Sequence, residues 1–386
     1  MTEKLIYIVD DQPMICELLG TLLSFHNSSW EVKTFERPAD LIHAVTVRPP
    51  NLVISDCRMP LMTGAELQDE IRKMAPSTIR ILMSGNVASL SKIASAHQYI
   101  AKPFVAAEVF AVVTNSLNVQ DKLRRQPRLG DIVAGLNSLP VVPAVFHKLI
   151  ALLDQDTSST DEIAKLLEKD GGITTRIIQL ANSPLFNNGA PVGSAEEAIM
   201  CLGLQNIKAV VLSLHAFESY DRLTFPEASV ERIWRHCQET AQLAERLCRE
   251  RKARSHSSNA FLASLLHDLG QLVFMENLSG QYRVVYQEAA ATRRPLHEVE
   301  QESLGIQSSA ITAFLIELWG LPEAVAEAVT SHHAPWQNPH PDFNASDALY
   351  VANILARRQN CPDQLETAIL NEDYLKSIGA AELATA

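Results

Sequence analysis

The 386-residue chain is expected to fold as two domains, a doubly wound α/β domain followed by an all-helical one. Two observations carry that expectation. Near the start, short apolar runs rich in branched residues end on polar groups: Leu5–Val9 on Asp10 and Asp11, Leu52–Ser55 on Asp56, Ile81–Met83 on Ser84, and Tyr99–Ala101 on Lys102. Runs of this kind, bounded by turn residues, are strands buried on both faces of a parallel sheet. From about Asp131 such runs stop and helical periodicity takes over.

Open α/β sheets present their chemistry at the carboxyl ends of their strands, so these carboxylates, the hydroxyl and the ammonium are expected at one rim. Taken singly, each aspartate is as well explained as a cap or turn residue. Together they are not, because crowded carboxylates are costly unless a cation sits among them. Magnesium takes hard oxygen ligands, and phosphoryl transfer calls for charge neutralisation more than covalent chemistry. The device expected is a carboxylate nucleophile that accepts a phosphoryl group.

Residues from about 3 to 120 resemble the receiver domain of bacterial two-component response regulators. Asp10-Asp11, Asp56-x-x-Met59-Pro60 with Gly64, Ser84, and Lys102-Pro103 carry the likeness. It implies a five-stranded, flavodoxin-like parallel sheet, with Asp56 as phosphoacceptor and a sensor histidine kinase as partner. It also implies Mg²⁺ held by Asp10, Asp11, Asp56 and the main-chain carbonyl of Arg58. Ser84 would bond the phosphoryl oxygens, Lys102 would pair with the acyl phosphate, and Tyr99 is the aromatic that swings with the serine. The interval from Ser84 to Lys102 is shorter than the family pattern, which takes residues from the fourth helix. That face commonly carries the contacts of a homodimer in the family.

Composition sets the outer bounds. Hydrophobic content of 47% and charged content of 20% are ordinary globular usage. No run of about 18 apolar residues and no cleavable leader is visible, so a cytoplasmic protein without membrane association is expected. The net charge of −12 argues against a nucleic-acid partner. Cys16, Cys57, Cys201, Cys237, Cys248 and Cys361 form no C-x-x-C pair and read as reduced, mostly buried thiols. Cys57 follows the phosphoacceptor, where packing is a simpler role than redox chemistry.

Domain limits follow from these shifts in character: 1–122, a linker at 123–135, a helical domain at 136–360 and an irregular segment at 361–386. Phe104 to about Leu123 is expected as the last helix of the first domain. The basic run Lys122–Arg128 suits a solvated helix end, favoured by the macrodipole. Helices are then expected at 145–153, 160–167, 173–181, 234–247, 261–275, 310–318 and 345–356. Ser194-x-x-Glu197 is a capping box for one more. The run Arg249–Arg254 could hold a phosphate, though a solvated last turn explains it as well.

Four residues stand out in the helical part: His236, His267, Asp268 and Asp347. Each lies in an apolar stretch where such a group needs a partner, and together they could complete a mixed N/O metal site. Their order resembles the H…HD…D signature of HD-superfamily phosphohydrolases. Leu139–Pro143, Leu180–Phe186, Leu202–Leu204, Leu265–Gly270 and Leu318–Pro322 more closely resemble the HDOD domain. That resemblance implies an HD-related helical output module without demonstrated hydrolase activity. A divalent transition metal at the four residues is compatible with it. The related HD-GYP phosphodiesterases carry a lysine where Gln271 stands and a histidine where Gln307 stands, and the Gly-Tyr-Pro loop is absent. His332-His333 matches a pair of that branch and otherwise caps a helix.

The function expected is a response regulator, phosphorylated on Asp56, whose helical domain signals to a downstream protein without turnover. The apolar turn at Trp319 and Leu321 is expected to contribute surface. The main rival is a phosphorylation-gated metal phosphohydrolase or cyclic dinucleotide phosphodiesterase. A DNA-binding regulator is a third class, for which no basic recognition helix is visible.

Overall fold

A computed structural model describes the chain except residues 1–3, 86–95, 141, 143, 154–158, 184–185, 188, 205, 341, 361–369 and 386. Cys361, the shortened interval after Ser84 and parts of the HDOD-like motifs therefore lie outside the described residues. Two compact units result. One comprises Met1–Ala144 with Glu317–Gly320; the other comprises Val145–Ile316 with Leu321–Ala386.

The first unit is a parallel sheet of five strands in the order β2-β1-β3-β4-β5. These are β1 (Lys4–Val9), β2 (Trp30–Phe35), β3 (Leu52–Asp56), β4 (Ile79–Ser84) and β5 (Gln98–Ala101). Helices α1 (Pro13–His26), α2 (Pro38–Val47), α3 (Gly64–Met74) and α4 (Ala106–Arg125) accompany them. The apolar runs are strands because β3 and β4 are buried along their whole length, as parallel strands covered on both faces must be. Thr63 and Glu66 form a reciprocal capping box that starts α3 just after the phosphoacceptor loop. Strand β2 was not legible as a strand, because at the sheet edge its middle residues stay half-exposed or exposed.

The segment 123–135, expected as a linker, is largely helical, with α4 running on to Arg125. Pro127 opens α5 (Pro127–Gly135), and its Leu129 and Val133 are buried. The C-terminal segment is likewise not wholly irregular, since it contains α19 (Glu372–Ser377), with Tyr374 and Leu375 buried.

The second unit is all-helical among its described residues: α6 (Ala144–Leu153) spans the unit boundary and α7 (Thr160–Leu167) to α18 (Ala345–Asn360) follow. At its centre α11 (Val230–Glu250) packs on α12 (Ser257–Leu266) and α18, while α17 (Glu323–Ser331) closes against α12 and α18. The stretch expected as one helix over 261–275 is two, α12 and α13 (Leu269–Asn277), broken at His267-Asp268. The break tilts α13 so closely onto α16 (Ser308–Leu318) that a Cβ at Gly270 would stand 2.0 Å from the Ser308 carbonyl oxygen. Ser194 caps α9 (Ala195–Leu202) through the Glu197 N–H, but Glu197 turns back to the Gly193 N–H, so only one arm of the expected box forms. No single helix among the described residues is long and apolar enough to cross a membrane. In the Trp-Gly-Leu-Pro turn Trp319 is buried at 5% exposure, while Leu321 is half-buried and Gly320 and Pro322 are exposed.

A buried carboxylate ties α14 (Ser279–Thr292), α15 (Leu296–Leu304) and α16 together. Glu300 accepts hydrogen bonds from the Tyr282 hydroxyl, the Ser308 N–H at 2.8 Å and the Ser308 hydroxyl at 3.0 Å. Burial without a cation pushes its pKa up to about 7, against the pull of those donors.

Two predictions follow from this packing. Gly270→Ala is expected to lower unfolding free energy by about 1–3 kcal/mol, because backbone blocks the new methyl and cannot rotate away. Thermal or urea unfolding checks it. Glu300 binds its proton more tightly folded than unfolded, so its contribution is present below pH 4.5 and is lost as pH rises through 7. From pH 5 to 8 the wild type should lose about 1–3 kcal/mol more stability than Glu300→Gln, read by urea titration at both pH values.

Candidate functional site

Strand register builds the first site. Val9 pairs with Ser55, Asp56 with Met83, and Ser84 with Ala101. Asp10, Asp56, Ser84 and Lys102 therefore leave the sheet along one carboxyl edge. Lys102 Nζ donates to Asp10 Oδ2 at 2.7 Å and to Asp56 Oδ1 at 2.5 Å. Asp10 is fully buried and Asp56 nearly so, and burial alone would lower the lysine pKa. The two carboxylates outweigh burial, and the pKa is raised.

Main-chain donors complete the cradle. The Arg58 N–H donates to Asp56 Oδ2 at 2.6 Å, and the Gln12 N–H donates to Asp10 Oδ1 at 3.0 Å. Gly64 is required here, since a Cβ would meet the Asp56 carbonyl oxygen at 2.1 Å. Asp11 is exposed beside them. Two carboxylates thus share one ammonium, with Asp11 next in the chain, and carboxylate oxygens are the donor type that a hard cation such as Mg²⁺ takes. When bound, such an ion would neutralise charge on a transferring phosphoryl group, held by Asp10, Asp11, Asp56 and the Arg58 carbonyl.

Ser84 is buried one strand away. Tyr99 is packed inward with Leu82 and Ala96, and its hydroxyl finds no hydrogen-bond partner among the described residues. Burial and the neighbouring Asp56 push the Cys57 thiol pKa up, so it stays protonated, which favours packing over redox chemistry.

In the helical unit three of the four expected ligands meet. Donor atoms of His236, His267 and Asp268 lie within 4.8 Å of one another. Asp347 does not join them among the described residues. Its carboxylate accepts from the Tyr374 hydroxyl and from the Asn344 N–H at 3.0 Å. Six residues along a helix is a turn and two-thirds, so Asp347 and Asn353 cannot share a face. Asn353 holds the place expected of the last acid, with Oδ1 2.8 Å from His236 Nε2 and accepting from Arg357 Nε at 3.0 Å.

This exchange changes the chemistry. A carboxamide oxygen replaces an anion, and a guanidinium lies beside it. Burial, with Arg357 and His267 nearby, lowers the His236 pKa to about 3. His267 Nδ1 is 2.8 Å from the Ser264 carbonyl, which fixes the ring, and Nε2 lies 3.3 Å from Asp268 Oδ2. Burial opposes charge on both, but each outweighs it for the other. His267 is raised well above the ordinary imidazole range, and Asp268 is held well below the carboxylate range. The pair is an internal salt bridge, and its cation already balances the single acid. Two imidazoles and one carboxylate could still grip one divalent transition-metal ion, but they do not supply the bridging acids of a two-metal hydrolytic centre.

Asn353 and Arg357 escaped sequence reading. The available signal was their spacing of four on α18, which puts both on one helix face.

The HDOD domain family model matches residues 139–335, and that of the response regulator receiver domain matches residues 6–114. An uncharacterised protein of Treponema pallidum is 20% identical over 216 residues, 56% of this chain and 42% of its own length. The DNA-binding transcriptional regulator NtrC of Escherichia coli is 29% identical over 133 residues, 33% of this chain and 28% of its own length. The chain thus spans less than half the length of these curated relatives. An HDOD domain protein of unknown function from Geobacter sulfurreducens has a similar fold, with a TM-score of 0.53 at 21% identity, over 66% of this chain and 86% of that one.

Restoring an acid tests the electrostatics of the helical cluster. Asn353→Asp is expected to bind Mn²⁺ on the order of tenfold more tightly than the wild type by calorimetric titration. Equal affinities would mean that residue 353 does not face the ion.

Proposed function

The chain belongs to the HDOD domain family, with a response regulator receiver domain ahead of it, and from that premise we propose a phosphorylation-controlled adaptor. A sensor histidine kinase donates its phosphoryl group to Asp56. The carboxylate oxygen attacks phosphorus, an O–P bond forms, and the P–N bond to the kinase histidine breaks. The observation that carries this reading is the Lys102 ammonium shared between Asp10 and Asp56. It lowers the cost of bringing a phosphoryl dianion to a carboxylate, and afterwards pairs with the acyl phosphate.

Ser84 and Lys102 are then drawn to the phosphoryl oxygens, and Tyr99 repacks, shifting the receiver between two states. The HDOD domain passes that shift on by protein–protein contact, without turnover. Support for the non-catalytic part comes from Asn353 in place of an acid and from the self-neutralised His267–Asp268 pair. The rival, a gated metal phosphohydrolase, draws on the three clustered donors and lacks the further acids it would need.

Acetyl phosphate with Mg²⁺ is expected to place a hydroxylamine-labile phosphoryl group on Asp56, detected by mass spectrometry, and to leave Asp56→Asn unmodified. The beryllium fluoride complex of the wild type should retain a protein from lysate that Asp56→Asn does not. Absence of label on a folded wild type defeats the proposal, and phosphoesterase turnover lost in His267→Ala would favour the rival.

A further inference from the structure

We infer that Gln68 is a positioning residue for phosphoryl acceptance: its buried amide ties α3 to β3 and β4 and fixes the backbone that carries Asp56. This role rests on the reading of Asp56 as phosphoacceptor and adds a residue that touches neither the metal nor the phosphoryl group.

Helix α3 holds the chain on both sides of the acceptor. After it, the Gly64 N–H donates to the Cys57 carbonyl at 3.0 Å, and a Cβ at Gly64 would stand 2.1 Å from the Asp56 carbonyl oxygen. Before it, Gln68 Nε2 donates to Ser55 Oγ at 2.7 Å. Gln68 lies about one turn beyond Gly64 on the same face of α3. One helix face therefore grips residues 55 and 57 and brackets Asp56 between them.

The same nitrogen donates its second hydrogen to the Ile81 carbonyl at 3.2 Å, on the neighbouring strand. A carbonyl can only accept, which puts the nitrogen, and not the oxygen, on that side of the amide. Register sets Ile54 opposite Ile81 and Asp56 opposite Met83, so the amide spans β3 and β4 just below the rim where Asp56 and Ser84 emerge.

Packing alone does not explain an amide here. Gln68, Ser55 and Ile81 are fully buried, and Leu67 and Ile71 already supply the apolar contacts of α3 with the sheet. Burying an amide costs free energy that only its hydrogen bonds offset, and Gln68 Oε1 has no hydrogen-bond partner among the described residues. An apolar side chain of similar length would fill the place without that penalty. What the amide supplies instead is direction, through two donor bonds that set residue 55 and β4 at fixed distances from α3. Lys102 and the Arg58 N–H orient the Asp56 carboxylate at its tip, and Gln68 orients the backbone at its root. Small misplacements of a reacting group cost large factors in rate.

The full chain is labelled with acetyl phosphate and Mg²⁺, and the initial rate of Asp56 modification is followed by mass spectrometry. Gln68→Met, which keeps the length and removes both donors, should lower that rate about tenfold. Ser55→Ala should also slow labelling, and the double variant should be no slower than Gln68→Met, because Ser55 acts through Gln68. A merely structural role would lower the folded fraction, read by circular dichroism, and leave the rate per folded chain unchanged; a positioning role requires the reverse. Ser55→Ala, the smaller change, carries the test if Gln68→Met does not fold. No label on a folded wild type overturns the phosphoacceptor reading and this role with it. Wild-type rates per folded chain in the variants, or losses that multiply in the double variant, overturn this role and leave the phosphoacceptor reading standing.

Discussion

Lys102 couples three strands through charge. Its ammonium hydrogen bonds at once to Asp10 at the end of β1 and Asp56 at the end of β3, while its own backbone N–H bonds to the Ser84 carbonyl of β4 at 2.7 Å. Two buried carboxylates this close would repel across a medium that screens poorly. Removing one partner of such a buried arrangement typically costs about 3–5 kcal/mol, so the strand ends are held in register by their electrostatics as well as by the sheet. The same balance is incomplete, because Asp11 adds a third negative charge at the rim. A site with more anions than cations is sensitive to whatever positive or phosphoryl group arrives next.

The helical unit solves the opposite problem. Its acids and bases are paired inside the fold: Asp268 with His267, Asp347 with Tyr374 and the Asn344 N–H, and Glu300 with Ser308 and Tyr282. Each arrangement stabilises a particular packing of helices, and the His267–Asp268 pair also balances its own charge. The clustered residues of an HD-like signature can thus persist as architecture, with the break between α12 and α13 formed around them.

How much of this was legible in the sequence depends on which periodicity places a residue. At the sheet edge a single fact suffices: strands of a parallel sheet end on the same side, so Asp10, Asp56, Ser84 and Lys102 could be grouped before any coordinates. Helices offer no such rule across elements. Asp347 looked like the missing ligand because it is acidic and lies at a suitable distance along the chain. A rotation of two-thirds of a turn hands that place to Asn353 instead. Glu300 and Arg80 were silent for another reason. Both are polar, and both are buried: Arg80 bonds to the His97 ring at 3.2 Å, and burial lowers its pKa to about 9. Such pairs are made by tertiary neighbours that composition does not reveal. Strand β2 was missed because an edge strand keeps its polar residues.

These contrasts bear on how a signal could begin and where it could be read. A phosphoryl group on Asp56 would bring about two negative charges to a rim that already carries an excess, so Lys102 cannot remain equally shared between Asp10 and Asp56. Tyr99, three residues before Lys102, is buried, and its hydroxyl has no hydrogen-bond partner among the described residues. In the helical unit, by contrast, His267 and Asp268 already balance each other. The same chain therefore pairs a domain whose shared lysine a phosphoryl group would unbalance with one whose His267–Asp268 pair is balanced within itself.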